Sequence, residues 1–329
     1  MKKLILSILA ILLCLSAFIL VACNGDDTTT TSDVGLTPTE GLEYELRDDN
    51  SSYTVTGIGT VMDTDIVIPT TYKGLPVTAI GNHAFEECNF IVSVEIPDSV
   101  SDIGIGAFLK CENLERVKLP QNITSISNNL FSNCNKLEEI EIPNSVTSIG
   151  AGAFVNCDGL TELPMGDGII SIGAGAYYDC DGITEVVIPN AVTKIGRDCF
   201  GLCSNLKSVT IGNGLKEIFD AIFLDCESLE RVTISDELIT IGDSAFRGCR
   251  SLYTINIPQN VTSINDQAFS GCRSLESIII PKSVTIIEAY AFVGASNLTV
   301  FCEAESEPNG WTSDWCEGTK EVIWGYKES

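Results

Sequence analysis

Cys88, Cys111, Cys134, Cys157, Cys180, Cys203, Cys226, Cys249 and Cys272 recur at an unbroken spacing of 23 residues. Nine thiols in series invite two chemistries, soft-metal binding and redox exchange. Both need sulfurs that converge on one point or on each other. A fixed period instead sets one thiol per unit along a line with parallel side-chain vectors, so the array reads as an inert core ladder, and neither metal nor cofactor is expected. Other chemistry is as thinly supplied. His83 is the only histidine, in a column otherwise filled by Gly106, Asn129, Gly152, Gly175, Asp198, Ala221, Ser244, Gln267 and Tyr290. That variability marks an exposed, unspecialised position, and nothing at useful spacing builds a nucleophile–base pair through it. Phosphate loops, dinucleotide fingerprints and His-Glu-x-x-His are missing too. Asp158 and Asp181 share the column after the cysteine, and Asp179 and Asp225 the one before it. Calcium takes such oxygens, but Asp179-Cys180-Asp181-Gly182 falls short of a binding loop, and a solvated acidic edge is the expectation. No catalytic residue is assigned, and the chain is expected not to be an enzyme.

The elements that position these columns follow from the period. Each unit has the form Ala-Phe-x-x-Cys-x-x-Leu-x-x-Val-x-Ile-Pro-x-x-Val-x-x-Ile-Gly, read over residues 107–126 and again from Ala153. One small unit stacked on itself makes a repeat solenoid. Leu114 to Leu119 alternates apolar and polar residues as a half-buried strand does, and successive copies should pair in parallel about 4.8 Å apart. Pro97, Pro120, Pro143, Pro189, Pro258 and Pro281 lack the N–H that would continue the ladder and so end each strand. Val146 to Ile149 is a second extended stretch, and Ala153-Phe154 is predicted to enter a helical turn. The aromatic column is Phe85, Phe108, Phe131, Phe154, Phe200, Phe223, Phe246, Phe269 and Phe292, with Tyr177 as its one exception.

The ends bound the function. Lys2 and Lys3 followed by the apolar run Leu4 to Leu20 read as a secretory signal over residues 1–22. Leu20-Val21-Ala22-Cys23 resembles the bacterial lipobox, which implies cleavage before Cys23 and lipidation of its thiol. Two acyl chains anchor a protein stably, so the expected place is extracytoplasmic, lipid-anchored at the cell membrane or surface. Residues 23–41, with Thr28 to Thr31, form a polar tether of about 20 to 25 Å. Without Lys2 and Lys3 the net charge of -26 becomes -28, which excludes nucleic acid as a partner, since phosphate binding needs clustered Lys and Arg. Residues 42–68 are expected to form an N-terminal β-hairpin cap, 69–301 about ten repeats, and 302–329 a C-terminal cap holding Trp311, Trp315 and Trp324. Cys302 and Cys316 are candidates for a disulfide in an oxidising compartment.

With Val117 and Leu119 pointing inward, two columns face out on the strand surface. One runs Ser93, Arg116, Glu139, Glu162, Glu185, Ser208, Arg231, Thr254, Ser277; the other runs Glu95, Lys118, Glu141, Pro164, Val187, Thr210, Thr233, Asn256, Ile279. An acidic middle gives way to a hydroxyl- and amide-rich C-terminal part. A long, flat, polar strip suits an extended protein partner better than a small molecule. The candidate contacts are Arg116, Lys118, Glu139, Glu141, Glu162, Glu185, Thr210, Arg231, Thr233 and Asn256.

The repeat unit, with Tyr53-Thr54-Val55, Ile66 to Pro69, Tyr72 to Val77, Pro308 to Trp311 and Trp324-Gly325-Tyr326, resembles the BspA-type leucine-rich repeat family over about residues 42 to 326. Met165-Gly166, Ile211-Gly212 and Ile234-Ser235 depart from its Ile-Pro, as do Cys199 and Ile222 from its Ala. The resemblance implies a leucine-rich-repeat-like right-handed coil with a parallel β-sheet face, on a surface lipoprotein that adheres to host or neighbouring-cell proteins. The alternative is an envelope module that binds another surface protein or a glycan of the producing cell.

Overall fold

The computed structural model describes residues 37–327. The signal segment, Cys23 and the tether through residue 36 lie outside the described residues. Each main strand starts at the alternating segment of one repeat, and within each part of the face it pairs in parallel with its counterpart in the next. The register advances by one repeat, as in Val94↔Val117 and Val209↔Val232. This front face has three parts: Asp65–Val67 to Glu139–Ile140, Glu185–Ile188 to Thr254–Ile255, and Ser277–Ile280 to Glu321–Trp324. Two-residue strands such as Ser148–Ile149 and Ser171–Ile172 line a second parallel edge of the coil. The fold is the solenoid that the period requires.

The third edge is not the helical turn predicted at Ala-Phe; the described residues contain no helix. The N–H groups of His83, Phe85 and Glu87 donate to Ile105, Ala107 and Leu109 of the next coil at 2.8–2.9 Å. Those of Ala84, Glu86 and Cys88 turn back to Gly81, His83 and Phe85 at 3.2–3.4 Å. Alternation of this kind needs left-handed residues at two points of every coil. His83, Gly106, Asn129, Gly152, Gly175, Asp198, Ala221, Ser244, Gln267 and Tyr290 all have φ of 53–63°. The residue before the cysteine column also has positive φ, from Glu87 and Lys110 to Gly271 and Gly294. The His83 column is therefore specialised in its backbone, which corrects the reading of it as an unspecialised position. Half of the column, Gly106, Asn129, Gly152, Gly175 and Asp198, is of the types that tolerate this conformation most readily.

Inside, Phe85 to Phe292 stack ring on ring through Tyr177, with centroids 5.1–5.7 Å apart and planes within 22°. The cysteine ladder runs beside them. From Cys111 to Cys272, each thiol donates to the carbonyl of the aromatic residue of the preceding coil at 2.9–3.2 Å. Cysteine suits the place because it is small, apolar and a weak donor. Burial pushes the Cys111 and Cys203 thiols up to about 12 and holds Cys134, Cys157, Cys180, Cys226 and Cys249 well above the ordinary range.

Both ends of this core are covered. Glu43–Leu46 pairs antiparallel with Tyr53–Gly57, and Tyr44, Tyr53 and Tyr72 cluster around them with Tyr44 stacked on Tyr72 at 3.8 Å. Residues 39–41 belong to this body rather than to the tether. Thr39 is buried, its N–H donates to Val67 and its hydroxyl accepts from the Val67 N–H, both at 2.9 Å. At the far end, Trp315 meets Phe292 edge-on at 5.8 Å, and Trp311 packs against Trp315 and Trp324. Cys302 and Cys316 are both free thiols, so the disulfide expected between them is not formed in this structure. Residues 37–327 belong to one compact unit, capped at each end and carrying its own core.

Candidate protein-binding face

The ten candidate contact residues are carried by the front face, whose sheet is interrupted after Glu139–Ile140 and again after Thr254–Ile255, and at the first interruption the following coil forms no strand. In the alignment of repeats, Leu163, Pro164 and Met165 fall on Ile140, Glu141 and Ile142. Pro164 thus occupies a mid-strand position whose N–H should bond the preceding coil, and it has no N–H to give. Residues 161–164 form no strand, and the sheet that begins at Asp65–Val67 ends at Glu139–Ile140. Pro164 is buried rather than exposed, which corrects its expected place in the outward column, and Leu163 and Met165 are half-buried. Gly166 replaces the usual proline where the chain presses on the preceding coil: a Cβ there would lie 2.8 Å from the Ile142 carbonyl oxygen.

Tyr177 completes the local arrangement. Its hydroxyl donates to the Pro164 carbonyl at 2.9 Å inside the core. In a regular coil that carbonyl would accept from a neighbouring strand; here it turns inward. A phenol in the aromatic column satisfies a buried acceptor that would otherwise cost about 1–3 kcal/mol. The exception in the aromatic column and the break in the strand column are one feature.

Beside the break lies a cleft of about 550 Å³, reached by the strand Arg116–Lys118, the strand Glu139–Ile140 and the segment 160–164. Five of the ten candidates, Arg116, Lys118, Glu139, Glu141 and Glu162, line it. Glu185, Thr210, Arg231, Thr233 and Asn256 are exposed on the next part of the face and do not reach it. Glu138 and Gln121 also line the cleft and were missed, because both fall outside the two columns counted as outward. The proline at a mid-strand position was the signal that could have found the cleft.

Charge in the cleft is unevenly compensated. Arg116 is held by Glu115 at 3.0 Å and Asp65 at 3.9 Å, and Lys118 by Glu95 of the preceding strand. Both cations thus lean on acids outside the cleft. Among the described residues, no salt bridge engages Glu139, Glu162 or Glu185. The acidic edge behind the face is satisfied differently. Asp158 accepts from the Asp181 N–H at 3.3 Å, and Asp181 accepts from the N–H and hydroxyl of Ser204 at 2.9 and 2.6 Å. These carboxylates tie one coil to the next.

Stacked 23-residue coils with parallel strand faces, an aromatic spine and end caps define a leucine-rich-repeat solenoid. The chain belongs to the BspA-type leucine-rich repeat family, whose model matches residues 64–184 and 170–299. It is similar in fold to the pneumococcal vaccine antigen PcpA, at 20% identity over 90% of this chain and 88% of that one, with a TM-score of 0.51. A leucine rich repeat protein of T. pallidum is 28% identical over 66% of this chain and 90% of its own, with a TM-score of 0.47. A leucine rich cell surface protein from Faecalibacterium prausnitzii is 25% identical over 92% and 96%, with a TM-score of 0.49. No curated relative matches the chain.

Proposed function

We propose that this protein is a non-enzymatic binding module displayed outside the cytoplasmic membrane, anchored through lipid on Cys23, and that its front face adheres to a surface protein of a host or neighbouring cell. The observation that carries this reading is the front face itself. It is a long polar surface of parallel rungs with a cleft at Glu139 and Glu162, two acids that no salt bridge engages among the described residues. Such a surface attracts a basic patch and orients it, and salt weakens the attraction. Membership in a family of repeat scaffolds supports the choice of binding over catalysis. Calcium is not required by this reading.

The test is binding of the soluble unit 37–329 to immobilised extracellular proteins at low and physiological salt. Saturable binding that weakens with salt and falls on joint Glu139→Lys, Glu162→Lys and Glu185→Lys substitution is expected. Binding indifferent to all three reversals would reject the acidic face as the contact. Capture of only the producing cell's own envelope components would replace adhesion with an envelope-structural role.

A further inference from the structure

We propose that the open edge at Glu139–Ile140 receives one extended, basic peptide segment of a partner protein, which pairs with that edge as the strand that residues 161–164 do not form. The proposal rests on the binding-protein reading and supplies the partner's chemistry. It starts from hydrogen-bond geometry. The Glu139 N–H donates back to Glu115 at 3.0 Å, and residues of a parallel strand alternate the side to which they bond. Ile140 therefore directs its N–H and C=O toward the following coil, where no strand pairs with it. An unpaired edge is a template for another strand.

The molecule treats its edges differently. At the start of the same sheet, Thr39 covers Val67 with two hydrogen bonds. Among the described residues neither the edge at Ile140 nor the one at Thr254–Ile255 has such a cover, and the edge at Ile140 adjoins the cleft of about 550 Å³, roomy enough for several side chains. Strand pairing would send alternate peptide residues to opposite faces. Half-buried Ile140 and Leu163 offer apolar contact to one set. Glu138, Glu139, Glu141 and Glu162 outnumber Arg116 and Lys118 around the cleft, so the other set should be Lys or Arg. An acidic segment would meet repulsion instead.

The decisive variant rebuilds the missing rung from the chain itself: Pro164→Glu, Met165→Ile and Gly166→Pro, which copy Glu141-Ile142-Pro143 of the preceding coil, with Tyr177→Phe to restore the aromatic column. The probe is a blocked eight-residue peptide of alternating Lys and Val. Its controls are the Glu-Val counterpart and a backbone N-methylated Lys-Val peptide, all titrated into the unit 37–329. The Lys-Val peptide should bind saturably. Affinity should drop at least tenfold in the rebuilt variant, in Glu139→Lys with Glu162→Lys, and for the N-methylated and acidic peptides. A melting temperature at or above that of the parent shows that the rebuilt variant is folded; the charge-reversal pair carries the test if it is not. No binding by the Lys-Val peptide, or equal binding by its N-methylated form, would overturn the proposal. A surface-protein partner bound equally by parent and rebuilt variant would also overturn it while leaving the broader reading intact. Edge-dependent peptide capture with no surface-protein partner would support the edge and reject that broader reading.

Discussion

The coil from Leu160 to Met165 and the coil from Ile183 to Ile188 occupy equivalent places one repeat apart, yet only the second pairs as a strand. Their spines are the same. Cys157 and Cys180 both donate to the preceding aromatic carbonyl, and Phe154, Tyr177 and Phe200 stack without interruption. What differs is a proline where the ladder needs an N–H. The comparison teaches that this solenoid is held by its interior column and its turn ladder, so one face can lose a rung without the coil losing its path. Local loss with neighbours intact is what nearest-neighbour stability in a repeat array permits.

Alkaline titration gives the largest effect and asks whether the spine runs unbroken through the open coil. Burial raises the folded-state pKa of the Cys111 and Cys203 thiols from about 9 to about 12 and holds those of Cys157 and Cys180 well above the ordinary value. The unfolded chain then releases protons that the folded one retains. Stability is full below about pH 8 and falls between about 9 and 12, by about 1.4 kcal/mol per pH unit for each thiol. Denaturant melts at pH 7, 9 and 10 read this slope. At pH 8, Cys157 and Cys180 should resist a thiol reagent as long as Cys226 does; early labelling of the first two would mean that the open coil is loose inside.

Phe154→Ala and Phe246→Ala should each cost about 3–5 kcal/mol, one beside the break and one in a regular coil. A clearly smaller loss at Phe154 in paired denaturation curves would contradict a continuous spine. Tyr177→Phe is a finer cut. It leaves the Pro164 carbonyl without its donor and should cost about 1–3 kcal/mol, whereas Phe246→Tyr should also destabilise because a regular coil turns no strand carbonyl inward. Stabilisation by Tyr177→Phe would remove the link drawn between phenol and break. The smallest effect concerns the turn ladder common to both coils. Leu202 has φ of 60° and Ala221 of 53°, and glycine there relieves about 1–2 kcal/mol of strain against about 0.5–1 of added chain entropy. Each should gain up to about 1 kcal/mol, read as a higher midpoint.

Much of this was legible in the sequence because the period repeats every physical requirement once per coil. The cysteine and phenylalanine columns announced a stacked interior, the Val-x-Ile-Pro segment a strand with its stop, and the three tryptophans a closed end. The turn was misread because Ala-Phe-x-x-Cys has the spacing of a helical turn, while the need for two left-handed residues is carried only by a diffuse preference for Gly, Asn and Asp. Pro164 falls in an outward column by its position in the repeat, and position alone carries no trace of the N–H it lacks. Tyr177 and Pro164 were each visible as exceptions, 13 residues apart, but only the fold brings one hydroxyl to the other's carbonyl. Half of the candidate contacts line the cleft; Glu185, Thr210, Arg231 and Thr233 lie on paired strands where alternation alone makes them exposed, and Asn256 just past the last strand of that sheet.

The front sheet is open at Glu139–Ile140, and amide hydrogen exchange tests this most directly. The amides of Val94, Val117 and Val209 each face a paired rung in the next coil, and Ile140 occupies the same column. Slow exchange at the three valines with exchange at Ile140 faster by at least a hundredfold is the predicted result. Protection of Ile140 equal to that of Val117 would contradict the open rung and, with it, the account of the cleft built upon it.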